Sequence, residues 1–318
     1  MRHVIALDVG GTGMKAALVA ADGTVLHREQ RPTGRERGPD AVVADVVDFA
    51  AELYATGERR FGEPPRAAGV VVPGLVDVAA GVAVFAANLN WRDVPLRRLL
   101  SERLTGSRPA PFPVALGHDL KAGGLAEGRI GAGRGQDRFL FVALGTGIAA
   151  AIGIDGRIEA GAHGGAGEIG HIVVRPDGPR CGCGRDGCLE IVASAAAVSR
   201  DWARASGNPT ADAADAARAV DAGDPRAIRV WQDAVEALAD GLVIAHTLLD
   251  PRLIVLGGGL AESGETLLAP LRTAVRDRLT FQHPPEIIPA ALGDAAGHLG
   301  AGLLAWDLLT TESMEEKP

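Results

Sequence analysis

Aromatic residues make up only 4% of this 318-residue chain, and acidic residues outnumber basic ones. Proteins that hold nucleic acids through the backbone and the bases rely on a basic face and on aromatic rings for stacking. The formal net charge of −8 therefore argues against a nucleic-acid-binding surface, and we expect no nucleic-acid partner. Any phosphate group that the protein binds must be held by local geometry.

Long hydrophobic runs are also missing. The longest uncharged stretch, residues 139–154, is shorter than the roughly 20 residues that cross a bilayer, and glycine and threonine interrupt it. The apolar run at residues 4–9 is too short for a secretory signal and contains Asp8. We therefore expect a cytoplasmic protein without a membrane partner.

Cysteine is rare and confined to one place. The three cysteines lie within eight residues, an odd number and a spacing too close for an ordinary framework of structural disulfides, which leaves a metal site or a redox site. The first pair has C-x-C spacing and not the C-x-x-C of redox motifs, which favours metal. With a nearby histidine they form a Cys₃His set that leaves no open coordination position, so we predict structural zinc at His171, Cys181, Cys183 and Cys188.

Glycine, in contrast, is abundant: the 43 glycines are about twice the average share of about 7%. They have no collagen-like period and cluster in turns that follow apolar strands. A turn without Cβ atoms lets backbone N–H groups approach a phosphate, although a simple hairpin turn would look the same, and neither a Walker loop nor a Rossmann fingerprint is present. Three such turns together predict a nucleotide cradle: Gly10–Thr12 (the first glycine turn), Gly145–Gly147 (the second) and Gly257–Gly259 (the third).

The order of apolar strand, glycine turn, strand and Asp-Gly turn occurs twice, from residue 3 and again from residue 138. This repetition predicts a duplicated strand-turn-strand unit. Asp224-Pro225 and Asp250-Pro251 enclose a long amphipathic pattern, which predicts a helix that is either a core element or part of a subunit interface. Further helices are expected at 39–60, 96–104, 267–279 and 295–309, with a loop around Asn90 and a disordered charged tail at 312–318.

Carboxylates in the polar loops complete the candidate chemistry. Glu168 lies three residues before His171, and Glu190 follows the last cysteine, so a metal clip would bring both acids to one place. Convergent carboxylates and an imidazole are acceptors that suit the hydroxyl groups of a sugar. Asp119, at the end of the predicted strand PVALGHD, is suited to be a base.

The motifs, in this order, resemble the ROK family of sugar kinases, repressors and open reading frames, and most closely its bacterial ATP-dependent glucokinases. They are DVGGT, PGLVD, NLNW, HD, LGTG, GEIGH, CGCGRDGCLE and GGG, and they run from Asp8 to Gly259. The resemblance implies an actin-like (ribonuclease H-like) ATPase fold, with two α/β domains around a central cleft. We expect a smaller domain at 1–117, a larger one at 118–294 that carries the cysteine loop, and a C-terminal helix, 295–310, that packs back on the first.

The resemblance also implies ATP with Mg²⁺ and structural Zn²⁺ as cofactors, and a homodimer or homotetramer. Asp119 matches the family's catalytic base. Sugar contacts are implied for Gly74, Asn90, His118, Asp119, Glu168, His171 and Glu190. Nucleotide contacts are implied for Asp8, Gly10, Gly11, Thr12, Lys15, Gly145, Thr146, Gly147, Gly257, Gly258 and Gly259.

The activity implied is transfer of phosphate from ATP to the 6-hydroxyl group of a hexose. Glucose is the hexose that we expect. Departures from the family pattern keep alternatives open. His118 stands where an asparagine is usual, so a kinase of mannose, fructose or N-acetylhexosamine remains an alternative. Lys15 lies two positions later than usual, as in relatives that accept polyphosphate as the phosphoryl donor. Ala149 stands just after the second glycine turn, where the family usually has a more glycine-rich form. A non-catalytic sugar-sensing regulator is the alternative from another functional class.

Overall fold

The computed structural model describes residues 1–315. The chain divides into two compact units: unit 1 combines residues 1–126 with the chain from Asp294 onward, and unit 2 is Glu127–Gly293. The sequence analysis expected domain limits of 1–117 and 118–294, and these limits stay a prediction. The strands are β1 (His3–Val9), β2 (Gly13–Ala20), β3 (Val25–Pro32), β4 (Ala68–Val72), β5 (Leu75–Asp77), β6 (Val82–Ala86), β7 (Trp91–Val94), β8 (Val114–His118), β9 (Arg138–Leu144), β10 (Ile148–Ile154), β11 (Arg157–Ile158), β12 (Leu253–Gly257) and β13 (Glu286–Pro289).

The α-helices follow the predicted periodicity where apolar residues recur every three or four positions. Helix α7 begins at Pro225, where the carboxylate of Asp224 accepts the N–H of Arg226, and it buries most of one side in unit 2. The helices are α1 (Pro39–Phe61), α2 (Leu96–Thr105), α3 (Asp119–Ile130), α4 (Leu189–Ala193), α5 (Ala195–Ser206), α6 (Ala213–Asp221), α7 (Pro225–Leu249), α8 (Glu265–Arg278) and α9 (Ala296–Glu315).

The two units contain five-stranded sheets of the same topology. The strand order is β3-β2-β1-β4-β8 in unit 1 and β11-β10-β9-β12-β13 in unit 2. In both, the first three strands in sequence form an antiparallel meander, and the later two add in parallel beside the first. The duplication predicted from the glycine turns is confirmed as a repeated topology.

Strand β1 is buried on both faces, because helices cover the sheet of unit 1 from both sides. Ile5 and Leu7 belong to the core with α1 and α2, whereas Val4 and Ala6 belong to the core with α9. This explains the nearly continuous apolar run at residues 3–9. The carboxyl ends of β1, β4 and β8, which are parallel, lie at the same edge of this sheet.

The loop expected around Asn90 was wrong in part, because it is only a short connection to a strand that the sequence did not predict. Residues 75–94 form a small antiparallel sheet in the order β5-β6-β7, with Asn90 in the tight connection before β7. The strands are only three to five residues long, and turn residues separate them, so the period-2 signal is too short to read from sequence. The disordered tail expected at 312–318 was also wrong in part: α9 continues through Glu315, because no glycine or proline interrupts it there, and 316–318 lie outside the described residues.

Glu127, in α3, is a fully buried carboxylate in unit 2. It accepts the backbone N–H groups of Ala132 at 2.8 Å, Ala291 at 3.2 Å and Leu292 at 2.8 Å. A buried carboxylate is tolerated only when hydrogen bonds satisfy it, and here three amides do so. Among the described residues, no helix combines the length and apolar character needed to cross a membrane.

Helix α9 lies so close to the sheet of unit 1 that only glycine fits at the contact. A Cβ at Gly69, in β4, would lie 1.8 Å from the carbonyl oxygen of Ala301 in α9. Helix α9 approaches α3 equally closely, since a Cβ at Gly300 would lie 2.0 Å from the carbonyl oxygen of Ala122. We expect Gly69→Ala to lower the free energy of unfolding by about 3 kcal/mol, since backbone must move to admit the methyl group. Urea unfolding measures this loss.

Gly165→Ala is the matched control for this prediction. A Cβ at Gly165 meets no heavy atom within 4 Å, so the same substitution there should change the free energy of unfolding by less than about 0.5 kcal/mol. Equal losses in the two variants would show that the close approach of α9 is not the cause.

Candidate functional site

The first glycine turn joins β1 to β2 and begins two residues after Asp8. The N–H of Gly10 donates to the carbonyl of Gly13 at 2.9 Å, and the Thr33 hydroxyl donates to the carbonyl of Gly10 at 2.6 Å. Gly11 packs against the Asn88 side chain, which a Cβ at Gly11 would approach to 3.1 Å, and Thr12 is exposed. The turn is therefore fixed in shape while its outer side stays open to a ligand.

Asp8 is surrounded by other charges of unit 1. Lys15 is its direct cross-strand partner in β2, and the Lys15 ammonium lies 3.2 Å from Asp294. Burial first, and then the negative charge of Asp119, raise the pKa of Asp8 to about 7; Asp294 adds to this and Lys15 opposes it. A group with two like charges nearby and little solvent favours binding a proton or a cation.

Asp119 is the first residue of α3 and follows β8 directly. The backbone N–H of Leu120 donates to Asp119 Oδ1 at 2.6 Å, and His118 Nδ1 lies 3.1 Å from the same oxygen. The carboxylate is one third exposed, so it is oriented by the helix start and still open to a ligand. Asp8 lies near the end of β1, and Asp119 directly follows β8. Because these strands are parallel, both residues lie at the same edge of the sheet.

Gly74 and Asn90 lie on the small sheet of unit 1. Gly74 has φ of 89°, and a Cβ there would lie 2.2 Å from the carbonyl oxygen of Phe85, so the turn after β4 requires glycine. Asn90 is exposed, with φ of 53°. Sequence reasoning did not select Asn88, which contacts the first glycine turn, although it stands in the same NLNW motif.

The second and third glycine turns lie side by side in unit 2. They follow the parallel neighbours β9 and β12, and Gly258, with φ of 86°, packs so closely that a Cβ would lie 2.7 Å from the carbonyl carbon of Leu144. The N–H of Gly145 donates to the carbonyl of Gly147 at 3.0 Å. Two of the three predicted phosphate-binding turns are therefore adjacent.

The cysteines and His171 converge as the spacing predicted. Their four ligand atoms lie within 4.8 Å of one another, with His171 Nδ1 3.7 Å from Cys181 Sγ and Cys183 Sγ 3.6 Å from Cys188 Sγ. Thiolates at about 2.3 Å from a tetrahedral zinc would lie about 3.8 Å apart, so the donor set and its size fit this metal. The backbone N–H of Arg185 lowers the pKa of Cys183 to about 6, and burial raises that of Cys188 to about 12.

Glu168 precedes the four ligands of this cluster in the chain, and Glu190 follows them. Glu168 is exposed, and one of its oxygens lies 4.0 Å from His171 Nε2. Glu190 is half-buried in α4, where its Oε2 accepts the N–H of Ile148 at 3.0 Å. The structure brings His171, both acids and the cysteines into one region of unit 2, and Asp8, Lys15 and Asp119 into one region of unit 1.

Comparisons with known proteins cover nearly the whole chain. A sequence model described as the ROK family matches residues 4–307. A glucokinase of Thermotoga maritima is 34% identical over 316 residues, which cover 94% of this chain and 95% of that protein. Among solved structures, the ROK hexokinase from Thermus thermophilus is 35% identical with a TM-score of 0.84, covering 97% of this chain and 99% of that one.

A second solved structure is a ROK family glucokinase from Streptomyces griseus in complex with glucose and AMPPNP. It is 30% identical, with a TM-score of 0.80, and covers 96% of this chain and 99% of that one. These neighbours and the two matching sheets confirm the actin-like α/β fold expected from the sequence.

The raised pKa of Asp8 predicts how stability depends on pH without nucleotide or divalent cation. The folded protein holds a proton on Asp8 up to about pH 7, whereas the unfolded chain releases it near the ordinary aspartate pKa of 3.8. The free energy of unfolding should therefore fall as pH rises from about 4 to 7, by up to about 4 kcal/mol, and then level off. Asp8→Asn should remove this decrease, as urea unfolding from pH 4.5 to 8 would measure.

Asp250→Asn serves as the control, because Asp250 is an exposed helix-end residue with φ of 43°, which asparagine also adopts. Its unfolding curve should keep the pH dependence of the native protein. A constant difference between Asp8→Asn and native protein at all pH values would contradict the assignment.

Proposed function

The chain belongs to the ROK family, and from that membership we propose that it is an ATP-dependent kinase that phosphorylates the 6-hydroxyl group of glucose. The observation that carries the proposal is the pair of carboxylates at one edge of the unit 1 sheet, Asp8 and Asp119. One is buried enough to need a counter-charge, and the other is oriented and open. The glucokinases of similar sequence, one of them solved with glucose and AMPPNP, support glucose and ATP as substrates.

In this proposal Asp119 is the general base. It accepts the proton of the sugar hydroxyl as the oxygen attacks the γ-phosphorus of ATP, and ADP leaves. The N–H of Leu120 keeps the carboxylate pointed while a second oxygen stays available. Because phosphoryl transfer depends on positioning and on charge stabilisation, a fixed base is worth more than a mobile one.

The phosphates of ATP are assigned to the glycine turns. Backbone N–H groups of the first, second and third glycine turns supply fixed partial charges, and Lys15 adds a full positive charge beside Asp8. Asp8 fits a magnesium site, because a bound cation would replace the proton that its surroundings favour. Magnesium bound with ATP neutralises phosphate charge and so assists the attack.

The sugar ring is assigned to hydrogen-bonding groups that match the family's motifs. Glu168, His171 and Glu190 are acceptors or donors gathered beside the cysteine cluster, and Asn90, His118 and the backbone at Gly74 are the candidates in unit 1. The His118 side chain affects which hexose the protein prefers, because an imidazole replaces the amide that is usual in the family.

The cysteine cluster is proposed to hold one structural zinc ion. Four protein ligands complete a tetrahedron and leave no position for a water molecule, so the metal's contribution is to fold the segment that lies between Glu168 and Glu190. Assembly as a homodimer or homotetramer remains a prediction, which sedimentation velocity would test. A cytoplasmic location also remains a prediction.

We expect Asp119→Ala to lower kcat at least 1000-fold, because the hydroxyl proton loses its acceptor. Glucose binding should weaken less than about 10-fold, which calorimetry would measure beside a coupled assay of ADP release. Asp186→Asn, in an exposed loop, is the control and should keep native kcat. Near-native turnover in Asp119→Ala would refute the base assignment.

A panel of hexoses tests the substrate itself. Glucose should give the highest kcat/KM with ATP, above mannose, fructose and N-acetylhexosamines, and ATP should exceed polyphosphate as donor. Absence of sugar-dependent ADP release with every hexose would favour a non-catalytic sugar sensor.

For zinc, we expect metal analysis of protein purified without added zinc to find about one equivalent per chain. Cys188→Ser should lose the metal and lower Tm, because the other ligands then lack their fourth partner. Asp186→Asn, in the same loop and paired only with exposed Arg180, should keep both. Active native protein without bound metal would contradict the assignment.

A further inference from the structure

We propose that Glu190 is a positioning residue for the second glycine turn, beyond the sugar contact assigned to it above, so that one carboxylate serves both the nucleotide and the sugar. The inference rests on the proposed function, because it takes the turn as a phosphate-binding element. Its starting point is a hydrogen bond that spans 42 positions of the chain, from the N–H of Ile148 to Oε2 of Glu190.

The contact lies immediately beside the turn. Ile148 is the first residue of β10 and directly follows Gly147. A Cβ at Gly147 would lie 2.3 Å from the same Glu190 oxygen, so the carboxylate occupies the space that a side chain at this position would take. The side chain of Glu190 therefore packs against the turn as well as accepting a hydrogen bond from its exit.

The other end of the turn is held by the same stretch of chain. The N–H of Ala195, the first residue of α5, donates to the carbonyl of Gly145 at 2.9 Å. Glu190 and Ala195 thus bind the two ends of the turn, and only four residues separate them. A short segment after the last cysteine sets where the amides of Gly145, Thr146 and Gly147 point.

Loss of the carboxylate would leave this arrangement incomplete. Ile148 is only 2% exposed, so its N–H would lose its partner in a place that is poorly hydrated, which is unfavourable unless the backbone shifts. A shift at Ile148 moves Gly147, and the amides that meet the phosphates lose their alignment.

Glu168 provides an internal comparison. It is assigned to the same sugar, but it is exposed, and its described contact is with His171 at 4.0 Å and not with the turn. If both acids served the sugar alone, removing either would change sugar affinity and leave nucleotide affinity as it was. The geometry of Glu190 predicts a difference between the two.

The test measures AMPPNP affinity by calorimetry without sugar, in native protein and in variants. We expect Glu190→Ala to weaken AMPPNP binding about 10-fold, and Glu190→Gln, whose amide oxygen still accepts the Ile148 N–H, to stay within about twofold of native. Glu168→Ala should also stay within twofold. In steady-state kinetics, Glu190→Gln should raise KM for the sugar but not for ATP.

The proposal is overturned if Glu190→Ala binds AMPPNP as tightly as Glu168→Ala, or if Glu190→Gln is as weak as Glu190→Ala. Should Glu190→Ala fail to fold, Glu190→Asp replaces it, because the side chain, shorter by one methylene, cannot reach Ile148 without moving the backbone. Absence of sugar phosphorylation by native protein would refute the proposed function, and the calorimetric series would still decide the role of Glu190.

Discussion

Both units depend on places where two backbone segments are in direct contact, with no side chain between them. In unit 1 such a contact sets the distance from α9 to the sheet through Gly69. In unit 2, a Cβ at Gly167 or Gly170 would lie within about 2 Å of the carbonyl oxygen of Ala150 or Ile148, which places the His171 segment directly on β10. The abundance of glycine is therefore only partly a matter of phosphate binding, since many of these residues set packing distances.

A second constraint is electrostatic. The protein is acidic as a whole, yet its proposed ligands carry phosphates, so attraction by overall charge is excluded as the means of binding. The binding groups proposed here are instead directed ones: backbone amides, one lysine, and a carboxylate whose pKa is raised to about 7. A buried Asp8 carboxylate is costly in the absence of a cation, and this cost supports its proposed role in binding.

The parts of the fold that sequence reasoning predicted are those with a strong local signal. Buried strands such as β1, the long helix α7 and the cluster around His171 each have a pattern of apolar spacing, capping or ligand spacing that needs no tertiary information. The duplicated strand-turn-strand unit was predicted from the repeat of the glycine turns, whereas the full strand order became known only from the structure.

What was missed depends on tertiary contact. Helix α3 contains three glycines and so has low intrinsic helix propensity; at one of them, Gly128, a Cβ would lie 2.5 Å from the ring of Phe139. The contact from Asn88 to the first glycine turn and the hydrogen bond from Ile148 to Glu190 join residues far apart in sequence. No spacing rule reports such pairs, whereas the convergence at the cysteines could be read from eight consecutive positions.

The buried carboxylate of Glu127 has a consequence for how the chain is organised along its length. Unit 2 is an insertion in the chain of unit 1, and Glu127 at its entry is hydrogen-bonded to Leu292 at its exit. An inserted segment whose two ends are neighbours can be lengthened, shortened or exchanged without requiring the host to bridge a gap. The Glu127 side chain thus holds the two ends of the inserted unit together.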